Sequence, residues 1–272
     1  MIQVTKMGAA ESNWERIPCR GMRVAIEHTP INALGECLRM MKVQRSAAGT
    51  AADHLKYNLS LVVLTCAFLE SCLSRGLFHA TNHALFMDPK SGPTDEKRRA
   101  LEKVKATVTS GDIFGDPFPT KPTARSYGRS IELVLGVSTA DRQLFPEAMA
   151  QCVHTLFQLR NMIIHGQTLV ASGVFPKGPL DPISDYQVAE HAKHKDVESY
   201  LASTGLWDSQ RVAGDLSFPF VSNAIVDHLL KGAVDFLRTL RDSIPDQIQQ
   251  RAFSDGWPQY LFPILAGEAV PI

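Results

Sequence analysis

The run from Leu156 to Gln167, LFQLRNMIIHGQ, constrains the fold of this chain more tightly than any other stretch. Apolar side chains at Val153, Leu156, Phe157, Leu159, Met162, Ile163 and Ile164 recur at helical spacing, so the segment predicts a helix buried over much of its circumference. Its polar residues are not scattered. His154, Gln158, Asn161 and His165 follow the spacing i, i+4, i+7, i+11, which stacks them in one narrow stripe. At roughly 100° per residue, Asn161 and His165 stand about 40° apart around the axis, and Arg160 flanks them. A polar stripe on a mostly apolar helix must face something polar, because unpaired buried polar groups are costly. Gly166 follows His165, where helices commonly stop. An arginine, an amide and an imidazole at one helix end form a set able to handle a phosphate.

The order Arg160-Asn161-x-x-x-His165 resembles the R-x(4–6)-H signature of the HEPN superfamily, in the form with asparagine directly after the arginine. Upstream, LSLVVLTCAFLESCLSRGLF (residues 59 to 78) resembles the first core helix of many such proteins, an apolar run ending in an acidic residue, here Glu70. Downstream, GDLSFPFVSNAIVDHLLKGAVDFLRTL (residues 214 to 240) resembles the closing helix of the bundle. The resemblance covers roughly residues 50 to 242 and implies an all-α antiparallel bundle of about four to five core helices. Around that domain (51–242) lie an N-terminal extension (1–50), a long insertion (167–218) before the last core helix, and a C-terminal tail (243–272) packing on the domain. The family is one of metal-independent endoribonucleases that act as dimers, often in bacterial toxin–antitoxin or phage-defence systems. It implies Arg160, Asn161 and His165 as catalytic residues, no cofactor and no metal, and as partners RNA, a second copy, and an antitoxin or regulatory protein.

Elementary chemistry leads to the same dimer. RNA cleavage by internal attack needs a base for the 2′-hydroxyl, an acid for the 5′-oxygen and positive charge on the phosphate. One histidine and one arginine on one helix fall short of that set. Two copies of the stripe face to face supply two imidazoles and two guanidiniums, the latter gripping the phosphate with paired hydrogen bonds. Asn161 then holds the imidazole or contacts the phosphate, and the stripe becomes an isologous interface. Glu70 is either a surface carboxylate or the group that orients Arg160. His154 and Gln158 are supporting residues on the stripe. Two other readings stay open: a non-catalytic HEPN module whose stripe binds nucleotide or a protein partner, and a structural helical protein in which Arg160 and His165 pair with buried acids.

Charge gives RNA no general attraction, since Lys plus Arg and Asp plus Glu number 28 each. Local cations gather at Lys97, Arg98, Arg99, Lys103 and Lys105 and again at Lys121, Arg125 and Arg129; a solvated helix face explains both. Five cysteines, an odd number without metal-type spacing, point to a reducing compartment. Cys66, Cys72 and Cys152 lie in apolar stretches and read as core. The N-terminus has no apolar signal-peptide centre. The greasy run from Leu59 to Leu69 is broken by Ser60 and Thr65, stops at Glu70, and is too short to span a bilayer. These features together predict a cytoplasmic protein away from membranes.

Along the chain, residues 1 to 50 carry the weakest pattern, with a helix at Ile31–Val43. A strong helix is predicted over Ala52–Leu73, a turn at RGLF, and a shorter helix near His79–Phe86. Thr94 caps another, SGDIFGDPFPTKP (110–122) is a loop, Ala124–Leu135 is helical, and Pro146 opens the motif helix at its first position. The insertion holds a helix around Gln187–Ala202 and a short hairpin near Trp207–Leu216, and Pro219 starts the closing helix to Arg241. Rival chemistry is thin. His79 and His83 have helical metal-ligand spacing but lack the adjacent glutamate of a zinc hydrolase, and Glu190, His191, His194 and Asp196 read as a polar turn.

Overall fold

The computed structural model describes residues 30–86, 94–110, 126–137, 145–166, 171–174, 184–188, 192–207 and 219–268. In chain order its elements are helices α1 (Ile31–Ser46), α2 (Ala51–Phe86), α3 (Asp95–Ser110), α4 (Ser126–Leu135) and α5 (Glu147–Ile164), strands β1 (Ala171–Val174) and β2 (Ser184–Val188), then α6 (Ala192–Ser203), α7 (Asn223–Asp242), α8 (Gln247–Ser254) and α9 (Phe262–Ala266). The architecture is helical, as predicted, with one small antiparallel ribbon added.

Helix α2 is the axis on which α1, α3, α5, α7 and α8 pack. Its start is a side-chain cap: Thr50 Oγ1 accepts from the Asp53 N–H at 3.1 Å and donates to the Asp53 carboxylate at 2.8 Å. The sequence reading turns the chain at RGLF, but the structure runs one helix of 36 residues through it. Gly76 is therefore no breaker; a glycine inside a helix costs only about 1 kcal/mol. Its missing side chain is where α8 docks, since a Cβ there would lie 2.6 to 2.8 Å from the Phe253 ring and carbonyl oxygen. The extension also changes the membrane argument. Ala51–Leu85 is long and apolar enough to cross a bilayer by length and composition, a test that the core helix of a soluble protein also passes, and here most of its apolar window is buried by the neighbouring helices.

The ends of the chain share one core with the middle. Ile31 and Leu38 of α1 and Phe253, Phe262 and Leu265 of α8 and α9 are wholly buried in the same cluster as Leu69 and Leu73 of α2. The described parts of the expected extension and tail are thus built into the hydrophobic centre. Gly35 lets α1 lie close, because a Cβ there would come 2.8 Å from Leu261.

Side-chain contacts fix the helix directions. Asn58 of α2 meets Asn223 at the start of α7 at 2.9 Å. Further along, Phe68 and Arg238 both pack on the Phe262 ring, so α2 and α7 run in the same sense. Phe145, just before α5, stacks on Phe236 with ring centroids 4.9 Å apart, while Cys152 reaches back to the His228 carbonyl. Helix α5 therefore runs against α7. Its C-terminal end, carrying His165, lies at the end of the bundle where α2 and α7 begin.

Between α5 and α7 the ribbon pairs Ala171 with Val188 and Ser172 with Gln187, and slips at Gly173 so that Val174 faces Ser184. Strand β2 takes Gln187 and Val188, which the sequence assigns to a helix, and α6 starts only at Ala192. Residues 208–216 of the expected Trp207–Leu216 hairpin lie outside the described residues. Helix α6 docks through Val197, Leu201 and Tyr200, whose hydroxyl meets His228 Nε2 at 2.7 Å. Helix α7 begins at Asn223 rather than Pro219, after a 3-10 turn at Pro219–Val221, with Ser222 Oγ accepting from the Ile225 N–H.

Candidate functional site

The motif helix follows from its pattern. Val153, Leu156, Phe157, Leu159 and Met162 are buried and Ile163 is half-buried. Ile164, expected inside, is 52% exposed, because it stands at the helix end beyond the reach of its neighbours. Pro146 takes the cap position, one residue before the predicted place. At the other end His165 is the C-cap, its N–H bonded to the Asn161 carbonyl at 3.0 Å. Gly166 then adopts φ 56°, a left-handed conformation that glycine tolerates, and the chain leaves the helix.

Three motif side chains stand near this end in different settings. Arg160 Nη1 donates to Asn161 Oδ1 at 3.0 Å, and both residues are half-buried. That bond uses one lone pair of the amide oxygen and leaves the amide nitrogen as a donor. His165 is exposed. Gln158, one turn back, is half-buried, and its Oε1 is buried without a hydrogen-bond partner among the described residues. His154 is half-buried farther up the helix.

Glu70 lies near the middle of α2 rather than at a helix end, and it faces Arg160 electrostatically across the α2–α5 contact. Burial pushes its carboxyl above the usual range, and the Arg160 charge offsets part of that rise. Cys66, one turn earlier, feels both charges and lies 3.7 Å from the Leu156 carbonyl. Its thiol, like those of Cys72 and Cys152, is buried and pushed up by that burial, Cys152 to about 11. All three are core residues, as predicted.

A second polar group, which the sequence reading passed over, occupies the same end of the bundle. Arg45 on α1 is only 5% exposed. Its Nη2 donates to both carboxylate oxygens of Asp227 at 2.7 and 2.8 Å, and its Nη1 to Asn58 Oδ1 at 3.1 Å. Asn58 Nδ2 continues to Asn223 Oδ1, and Asn223 Nδ2 reaches His54 Nδ1 at 3.2 Å. Lys42 adds a contact of 3.4 Å to Asp227 and bonds the Leu265 carbonyl. Residues 45, 58 and 223 share no spacing that a sequence could reveal.

The rival clusters have ordinary partners. His83 Nδ1 bonds Gln249 Oε1 at 3.1 Å, and His79 packs edge-on against Phe78. Among the described residues no three His, Cys, Asp or Glu side chains converge as metal ligands. Glu190 and His191 lie outside the described residues. Lys97, Arg98, Arg99 and Lys103 sit on the exposed face of α3, while Lys121 and Arg125 are outside the described residues. An open groove of about 680 Å³ between α8 and the end of α2 is lined by His83, Ile248, Arg251 and Tyr260, and the motif residues do not border it. No family model, no curated protein and no solved structure matches this chain.

Proposed function

We propose that this protein is a metal-independent endoribonuclease of HEPN type, whose site forms where two copies bring their α5 ends together. The observation that carries the reading is the composition of that end: exposed His165 beside an Arg160 already bonded to Asn161. Exposed Ile164 next to the imidazole offers apolar surface for a self-contact. One His165 takes the proton from the ribose 2′-hydroxyl, and the other gives a proton to the leaving 5′-oxygen. The two Arg160 guanidiniums hold the phosphate as charge builds on it, with the Asn161 amide donating alongside. The resemblance extends the proposal to a toxin or phage-defence effector in the cytoplasm, with a regulatory protein as a further partner.

The test is incubation of the purified protein with RNA in the presence of a chelator. Products ending in 2′,3′-cyclic phosphate and 5′-hydroxyl are expected, with DNA of the same sequence resisting. His165→Ala should slow cleavage by about 10²- to 10⁴-fold, the usual range for one general acid–base group. Arg160→Lys should also be poor, since a point charge does not reproduce the planar two-pronged grip. Activity lost in chelator would discard the mechanism. RNA bound but uncleaved by the wild type would select the non-catalytic module instead.

A further inference from the structure

The chain of hydrogen bonds that starts at Arg45 has a direction, and its last link sets the chemistry of a surface histidine. A guanidinium only donates, so the atom of Asn58 that meets Arg45 Nη1 at 3.1 Å must be its oxygen. The nitrogen of Asn58 then faces Asn223, which must answer with its own oxygen at 2.9 Å. Asn223 is left with its amide N–H toward His54 Nδ1 at 3.2 Å. A ring nitrogen that accepts a hydrogen bond carries no proton, so the neutral imidazole keeps its proton on Nε2. Amide orientation is often ambiguous, but here each amide is fixed in turn by the one donor-only group at the head of the chain. The anchor is firm: Arg45 is buried and gripped by Asp227, and Asn58 is buried.

The location gives this donor a use. His54 lies in the first turn of α2, half-buried, beside the start of α7. Because α5 runs against α7, this is also the end of the bundle that carries Arg160, Asn161 and His165. An N–H donor at the same end of the bundle as the proposed site suits an anionic oxygen of the same strand.

We propose that His54 is a substrate-contact residue whose Nε2–H donates to a non-scissile phosphate of the RNA, with Arg45, Asn58 and Asn223 as positioning residues that fix its tautomer. The proposal rests on the ribonuclease reading above. It differs from that reading in assigning a role outside the motif and in having a readout that needs no RNA.

The first measurement is the ¹⁵N signature of the His54 ring in the intact protein, which should show the proton on Nε2. Asn223→Asp keeps the acceptor for Asn58 but turns the last link around, so Nδ1 should now carry a proton. In cleavage assays His54→Ala should raise KM by about 3- to 10-fold, as expected for one neutral hydrogen bond, and leave kcat unchanged. At mildly alkaline pH, where an imidazole is neutral, the salt dependence of KM should keep its slope, since a neutral donor releases no counterion. Asn223→Asp should raise KM in the same way, and thermal melts should show both variants folded.

A wild-type proton on Nδ1 would overturn the relay. RNA cleaved by His54→Ala with the wild-type KM would overturn the phosphate contact and leave the ribonuclease reading standing. A wild-type protein that neither binds nor cleaves RNA would overturn that reading and the contact with it.

Discussion

Replacing Gly76 with alanine tests whether α2 is one helix locked by α8 or two helices joined at RGLF. In a turn, alanine would be neutral or, where the backbone permits it, stabilising by about 0.4–1 kcal/mol. Inside a helix it should gain about 1 kcal/mol of helix propensity. The structure opposes that gain. Ordinary contact for a Cβ begins at 3.4 Å, whereas the new methyl would stand 2.6 Å and 2.7 Å from Phe253 ring carbons and 2.8 Å from its carbonyl oxygen. The ring cannot swing clear, being buried and edge-packed on Trp257 at 5.0 Å, and the carbonyl belongs to the α8 backbone. Overpacking of this kind costs about 1–3 kcal/mol, here near the upper end because a backbone atom must move. Set against the propensity gain, the net loss is about 1–2 kcal/mol, a fall in Tm of roughly 2–8 °C for a chain of this size. Urea unfolding followed by far-UV circular dichroism measures it, with Gly49→Ala as control, since a Cβ at Gly49 meets nothing within 4 Å. A Gly76→Ala protein as stable as the wild type, or more so, would refute the close α2–α8 contact.

Three further outcomes follow from the polar groups. Arg45→Met should lower stability by about 1–3 kcal/mol in the same urea assay, because it strands a buried amide and removes the main partner of Asp227, whose partial exposure tempers the loss. Burial, with a smaller push from Lys231, holds His228 below its ordinary value of 6.5. The unfolded chain therefore takes up the proton more readily, and the contribution from this site is complete above about pH 6.5 and lost as pH falls below it. A His228→Gln variant should show a flatter stability profile in that window by thermal melts. Glu70 has the opposite sign: burial raises its carboxyl above 4.5 despite Arg160, so its ionisation costs stability as pH climbs past that value. Glu70→Gln should thus be no less stable than the wild type at neutral pH, and a marked loss there would mean that the carboxylate and Arg160 form a net stabilising pair.

What could be read from the sequence was local. The period of apolar residues in α5, the Thr94 cap of α3 and the Gly166 exit from the motif helix need only neighbours a few residues away, and each stands where the pattern puts it, with Lys97 N–H bonded to Thr94 Oγ1 and Gly166 in the left-handed region. The same periodicity aligned Asn161 and His165 on one face, and it identified Cys66, Cys72 and Cys152 as core. Local signals misled where a residue serves a distant partner. Gly76 carries the signature of a turn, yet its absent side chain makes room for Phe253, 177 positions later.

Tertiary structure alone decided the rest. Helix α1, the weakest pattern in the chain, belongs to the core because α2 and α9 cover Ile31 and Leu38. How strongly the Arg160 charge acts on Glu70 depends on which faces of α2 and α5 touch, and the run of side-chain hydrogen bonds from Arg45 to His54 is drawn from α1, α2 and α7. A sequence specifies backbone periodicity through neighbours on one helix, but which donor meets which acceptor across helices is settled only when packing fixes their distance.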